Sequence, residues 1–370
     1  MVDVTHMAKT NLNTGIQRVV RALLKELEVL TSDEIDVEPV VLLPADGFWH
    51  FQYVECNPNR KSNIVVPREG DLFLGLDLNA QIISAQKAGL FEDWKSRGAQ
   101  IVITVHDILP IEHPEWWPEE VSVNHAQWLN SVLLCADTIL SVSKATQNAV
   151  VNWCENNNIE KQHIKFRWFH LGADFEATNS STGVPQEAEK LIKQLKKQVT
   201  FLSVGTIEPR KGHEQCLDAF ESLWEQGLEC NLVFVGKQGW LVDKLIKRLN
   251  THPALKKHFF WLDGISDEYL SKVYASSDCL IAASNGEGFG IPLIEAARHG
   301  LPIIARDIPV FREVVGNNAH YFSGQSAEDL AKSVTKWLDD FEHGNHITSS
   351  GIKWQSWQES ALQIQRVLRF

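Results

Sequence analysis

The sequence predicts an α/β protein made of two Rossmann-like, doubly wound domains, and three observations predict it. Short β-rich runs alternate with helical periodicity along the whole chain, the order that builds parallel layered sheets. The series runs twice, on either side of an aperiodic stretch rich in Ala, Thr, Asn, Ser and Gly within Gly172–Gln186. A length of 370 residues also exceeds what one ordinary core organises.

In the first series the expected strands are Val2–Thr5, Glu38–Leu43, Asp71–Leu74, Gln100–Val105, Thr138–Val142 and Lys165–His170. Amphipathic stretches at Ile16–Leu30, Ile82–Arg97 and Val123–Cys135 read as the intervening helices. The aperiodic stretch reads as a linker and hinge. The second series places strands at Val199–Val204, Asn231–Val235, Phe259–Leu262, Cys279–Ala283, Pro302–Ala305 and His320–Phe322. The expected domains are therefore 1–175 and 186–352, facing across a cleft, with a final helix in 353–370 crossing back to the first. Ligands of such sheets bind beyond the carboxyl ends of the strands. Met1 leads straight into strand residues, which fits a trimmed chain or an excised domain.

Composition narrows the function classes. A net charge of -12 opposes a nucleic-acid partner, because a phosphate backbone needs a dominant basic face. The six cysteines, Cys56, Cys135, Cys154, Cys216, Cys230 and Cys279, have no metal-ligand or redox spacing and read as buried thiols of a reducing cytoplasm. No apolar run reaches the roughly 20 residues that span a bilayer, and no signal-peptide pattern opens the chain. The reading is a soluble cytoplasmic protein. Thirteen tryptophans suit core packing, with some free to line a sugar site.

The densest chemistry lies in Ser284–Glu295, which follows an apolar strand and opens a helix. Gly286, Gly288 and Gly290 permit unusual dihedrals and, with Phe289, frame a close approach of backbone to ligand. The helix start directs free N–H groups forward. Glu287 and Glu295, one on the loop and one a turn into the helix, present carboxylates suited to sugar hydroxyls. Arg210 and Lys211 also sit between a strand and a helix, where phosphates dock, and supply a guanidinium fork and a mobile ammonium. In the first series, Gly15 opens a helix whose dipole suits an anion, with Arg18 one turn in. His106 and Asp107 follow a buried-looking strand, so they stand at its carboxyl end; Asp107 is placed to orient His106 or to meet an acceptor hydroxyl. The Trp116–Trp117 pair reads either as a platform for a sugar ring or as a loop anchor, and Trp240 as packing.

The segment Glu287-Gly-Phe-Gly-Ile-Pro followed by Glu295-Ala closely resembles the Glu–x7–Glu signature of the retaining GT-B glycosyltransferases of family 4, also called group 1. Ser203–Gly212, Leu232–Trp240, Leu262–Glu268, Ile308–Glu313, Thr14–Arg21 and Val105–Pro110 resemble further segments of the family, so the likeness covers nearly the whole chain. It implies that Arg210 and Lys211 clamp a diphosphate, that Glu287 meets the transferred sugar and Glu295 the ribose, and that His106 contacts the donor sugar. Gly15 then lies against the donor phosphate or the acceptor. Asp263 and Gly264 would frame the nucleoside, or form only a turn. One departure stands out. The family often carries Arg at or beside the position of Thr206, so phosphate binding would rest more heavily on Arg210 and Lys211.

The resemblance implies a metal-independent, retaining hexosyltransferase with no resident cofactor. No Asp-x-Asp occurs in the cleft-facing loops to hold a divalent ion. The motifs look most like bacterial O-antigen and capsule mannosyltransferases, which makes GDP-mannose the expected donor ahead of UDP-sugars or rhamnosyl and fucosyl donors. The expected acceptor is a growing glycan or lipid-linked glycan, met in the cytoplasm or at the inner face of the cytoplasmic membrane. An inverting enzyme or sugar-nucleotide epimerase of the same fold, and a non-catalytic sugar-nucleotide-binding module, are the alternatives.

Overall fold

The structure is a computed structural model that describes residues 1–10, 15–32, 35–45, 48–54, 62–160, 162–174 and 181–369. Residues 175–180 of the expected linker, Thr14 and Cys56 lie outside the described residues. The chain forms two compact units. One comprises Met1–Pro114, Glu119–Thr178 and Gln355–Phe370; the other comprises Glu115–Pro118 and Asn179–Trp354.

The first unit holds strands β1 (Val2–Asp3), β2 (Pro39–Ala45), β3 (Phe48–Tyr53), β4 (Leu72–Gly75), β5 (Gln100–Val105), β6 (Thr138–Ser141) and β7 (Lys165–Trp168). They make one sheet in the order β3-β2-β1-β4-β5-β6-β7. Every pairing is parallel except that of β2 with β3, where Val40 faces Tyr53 and Ala45 faces Phe48. β3 escapes a reading of parallel α/β units because it is an antiparallel edge strand added by a hairpin. The stretch Ile82–Arg97 forms two helices, Ile82–Lys87 and Leu90–Ser96, because Gly89 between them has φ 77°. Phe51, Phe73, Phe91 and Trp94 pack ring on ring at 4.8–6.4 Å in this unit's core.

The last helix, Trp357–Leu368, packs on the helix Gly15–Val29 within the same unit. Its entry is stitched to the turn after β7. Gln355 Nε2 donates to the His170 carbonyl at 2.6 Å, and Trp357 N donates to Asp174 Oδ1 at 2.6 Å. Gly172 forms a parallel bridge with Gln355.

The second unit holds β8 (Val199–Val204), β9 (Cys230–Val235), β10 (Phe259–Leu262), β11 (Cys279–Ala282), β12 (Ile303–Arg306) and β13 (His320–Phe322). All pairings are parallel, in the order β10-β9-β8-β11-β12-β13. Its separate core is built on Phe201, Phe220, Phe234 and Trp337. Strand order reverses between β8 and β11, and a doubly wound sheet opens its ligand crevice at that switch point. The two loops leaving these strands carry Arg210, Lys211 and Glu287.

Cys135, Cys154, Cys216, Cys230 and Cys279 are buried and form no disulfide among the described residues. Burial pushes the thiols of Cys135, Cys216 and Cys230 up to about 12, which leaves them chemically quiet.

Candidate active site

The loop after β8 ends in a 3-10 turn, Pro209–Lys211, then Gly212, then the helix His213–Glu225. Gly212 has φ 72°, and a Cβ there would lie 2.5 Å from the Ala283 carbonyl oxygen. Only glycine lets this loop close on the end of β11. Asn285 N then donates to the Arg210 carbonyl at 2.7 Å, so the two loops are tied through backbone.

This closure brings three charged side chains together. Lys211 Nζ donates to Glu287 Oε1 at 2.6 Å, and Arg210 Nη1 donates to Glu287 Oε2 at 2.8 Å. Arg210 Nη1 also reaches the Gly286 carbonyl, and its Nη2 pairs with Glu208 Oε1 at 2.7 Å. Ser284 Oγ donates to Glu287 Oε1 at 2.7 Å. Burial alone would push the Glu287 carboxyl up; Lys211 and Arg210, with the bonds from Lys211 and Ser284, instead hold it down at about 2. At neutral pH the cluster is therefore a half-buried carboxylate under two cations.

Other predicted residues of this unit take different places. Phe289 is buried, and of the three loop glycines only Gly290 has positive φ, at 99°, as the N-cap of Ile291–Arg298. Gly286 and Gly288 do not take a left-handed backbone. Glu295 is buried and accepts from the Tyr274 hydroxyl at 2.9 Å; Tyr274 in turn stacks on His299. Asp263 and Gly264 are exposed beyond β10, with Gly264 at φ 64°, and do not join the Glu287 cluster. Trp117 is buried against Trp240, with the Arg210 guanidinium 5.7 Å from its ring centroid. Trp240 Nε1 donates to the Trp116 carbonyl at 3.0 Å. Of the two readings of this pair, anchoring is the one the contacts match.

In the first unit, His106 follows β5 and is buried. Its Nε2 lies 2.9 Å from the Leu76 carbonyl, which can only accept, so Nε2 carries the proton and Nδ1 presents a lone pair. Burial pushes the ring below its ordinary value, so it is neutral at pH 7. Asp107 does not orient this ring by a hydrogen bond: its Oδ1 accepts from Leu109 N at 3.1 Å and so starts the short helix Leu109–Glu112, while its carbonyl takes His125 Nε2. Gly15 begins its helix with open space around the position a Cβ would take.

Sequence reasoning missed His213, the first residue of the helix after Gly212. It is 2% exposed, and neither ring nitrogen has a hydrogen-bond partner among the described residues. Its one signal in the sequence was its position two residues after Lys211. Glu208 was missed as well; it is buried and fixes the second arm of Arg210.

Residues 186–354 match the family profile described as Glycosyl transferases group 1. Over those residues the chain is similar to the group 1 glycosyltransferases. The matched region includes nearly all of the second unit and every residue of the Glu287 cluster. Beyond it, the chain is 41% identical over 368 residues to a serotype-specific mannosyltransferase, WbdA, of Escherichia coli, covering 98% of this chain and 45% of the relative. The chain thus spans about half the length of the WbdA relatives it matches. It is also 26% identical to the O-antigen chain mannosyltransferase B of Escherichia coli, over 71% of this chain and 68% of that protein. Among solved structures, Anabaena HepE in complex with UDP and glucose superposes with a TM-score of 0.60 at 20% identity, covering 81% of this chain and 77% of that one. The catalytic domain of starch synthase IV from Arabidopsis thaliana gives 0.65 at 15% identity, covering 100% and 98%. These are GT-B folds, and this chain shares their two parallel-sheet Rossmann-like domains.

Proposed function

We propose that the protein is a retaining, metal-independent mannosyltransferase that moves mannose from GDP-mannose onto a growing O-antigen-type glycan. The observation that carries this reading is the Arg210–Glu287–Lys211 cluster at the switch point of the region similar to group 1 glycosyltransferases. The mannosyltransferase names of the relatives support the sugar. GDP as the nucleotide extends that reading from the sugar to the donor.

In the proposed reaction the bond between the sugar's anomeric carbon and the phosphate oxygen breaks, and a bond to the acceptor oxygen forms on the same face. The acceptor proton passes to the leaving phosphate. Negative charge grows on the diphosphate, and Lys211 and Arg210 stabilise it from a site already shaped and shielded from water. Glu287, ionised because of those cations, accepts from sugar hydroxyls. Among the described residues no helix is long and apolar enough to cross a membrane.

The test is a donor screen. GDP-mannose at 100 times its dissociation constant should stabilise the protein by about 2.7 kcal/mol, and incubation with a mannoside acceptor should yield a product of retained anomeric configuration by NMR. Stabilisation by a UDP-sugar with none from GDP-mannose would overturn the donor. An inverted product would overturn the mechanism.

A further inference from the structure

His213 stands directly behind the cationic pair. It opens the 13-residue helix His213–Glu225 and borders a cavity of about 20 Å³ that Ser203, Lys211, Ser284, Glu287 and Gly290 also line. A space of roughly 10–15 Å³ already holds one water, provided polar groups converge on it. They do: an ammonium, a carboxylate, two hydroxyls and an imidazole share these walls. Burial, then the Lys211 charge, push the His213 ring down to about 3, so it is neutral and keeps one donor and one acceptor nitrogen. Its ring is held edge-on to Phe234 at 4.8 Å, a contact that fixes the plane and leaves both nitrogens without a hydrogen-bond partner among the described residues. Two such nitrogens in a protein interior are costly unless something meets them.

We infer that His213 is a further donor-site residue, whose imidazole hydrogen-bonds, through one water held in this cavity, to the phosphate end of a nucleotide sugar bound at Lys211 and Arg210. The inference rests on the proposed function, since it needs a phosphate at that place. It adds a neutral hydrogen bond to a site otherwise built on charge. The water completes its coordination between the ring and the phosphate oxygen, and Lys211 remains the direct partner of that oxygen.

The test uses the full chain with 15N-labelled histidine and two-bond 1H–15N correlation, with H213N identifying the His213 signals by their loss. At pH 7 both ring nitrogens should report a neutral imidazole, and one should shift as GDP or UDP saturates the protein. By calorimetry, H213F should weaken nucleoside diphosphate binding by roughly tenfold, while H213Q, which restores a polar reach, should stay within about threefold of wild type. Should H213F not fold, H213Q and the wild-type spectra decide alone. Ring signals that stay fixed at saturating nucleotide would overturn the inference while leaving the proposed function intact. If wild type binds no nucleoside diphosphate at all, the proposed function falls, and this inference with it.

Discussion

Lys211 and Arg210 end on opposite oxygens of the same Glu287 carboxylate, at 2.6 and 2.8 Å. With Glu208 on the far arm of Arg210, the cluster holds two cations and two anions and is locally neutral. An incoming diphosphate must therefore compete with Glu287 for the cations. This sets up a split outcome for Glu287→Gln, which keeps the shape and removes the charge. Affinity for the bare nucleoside diphosphate should rise several-fold, while turnover falls about 100-fold or more because the sugar loses its charged acceptor. Calorimetry and steady-state rates measured on one preparation separate the two. A joint fall in affinity and turnover would mean that Glu287 chiefly builds the clamp.

The clamp itself should carry the leaving group without a divalent ion. Arg210→Ala or Lys211→Ala should lower kcat/KM by about 100-fold or more, the loss expected when one transition-state donor worth roughly 2.7–4 kcal/mol is removed. Activity should persist in excess EDTA. Inactivation by EDTA with rescue by magnesium or manganese is the contrary result, and it would place the charge on a metal instead.

Much of this arrangement was legible in the sequence, for identifiable reasons. Helical periodicity and apolar strand runs are local signals, so the six strands of the second unit could be read within a residue or so of their ends. Arg210, Lys211 and Glu287 were legible because strand-to-helix loops at a switch point are where phosphate chemistry collects. Their mutual ion pairing was not, since it depends on Gly212 fitting against the Ala283 carbonyl, some 70 residues away in sequence. Glu295 could be placed on its helix, but its bond to Tyr274 depends on how a neighbouring helix packs. His106 and Asp107 could be set at a strand end, yet the Leu76 carbonyl that holds the ring comes from the adjacent strand's exit. His213 stayed hidden because a histidine at a helix start has no periodic or spacing signature.

Acid should weaken the fold in two overlapping windows. Glu287 has a folded value of about 2 against an ordinary 4.5, so the stability from its ion pairs is complete above about pH 4.5 and is lost as pH falls through about 2. His213 has a folded value of about 3 against 6.5. An unfolded chain takes up that proton below about 6.5 while the fold refuses it, so stability declines from there toward pH 3. Urea midpoints followed by tryptophan fluorescence should slope downward across both windows. His213→Gln should flatten the upper one and Glu287→Gln the lower one. An unchanged slope between pH 6.5 and 4.5 in His213→Gln would show that its imidazole is not held neutral.

The closing of the two loops should depend on Gly212 more than on other glycines with the same backbone. Gly212 and Gly227 both have positive φ, 72° and 86°, and bracket the same helix. They differ in surroundings: a Cβ at Gly212 would lie 2.5 Å from the Ala283 carbonyl oxygen, whereas nothing lies within 4 Å of one at Gly227. Gly227→Ala thus bears only the cost of a left-handed alanine, about 1 kcal/mol. Gly212→Ala bears that cost and a clash with fixed backbone, for a total of about 3 kcal/mol or more. It should also push the loop off β11, lengthen the Asn285 N to Arg210 carbonyl bond, and separate the cations from Glu287. Chemical denaturation should rank wild type above Gly227→Ala above Gly212→Ala, and only Gly212→Ala should lose nucleoside diphosphate affinity. Equal stability and equal binding in the two variants would show that the loop adapts and that Gly212 is not what brings the clamp together.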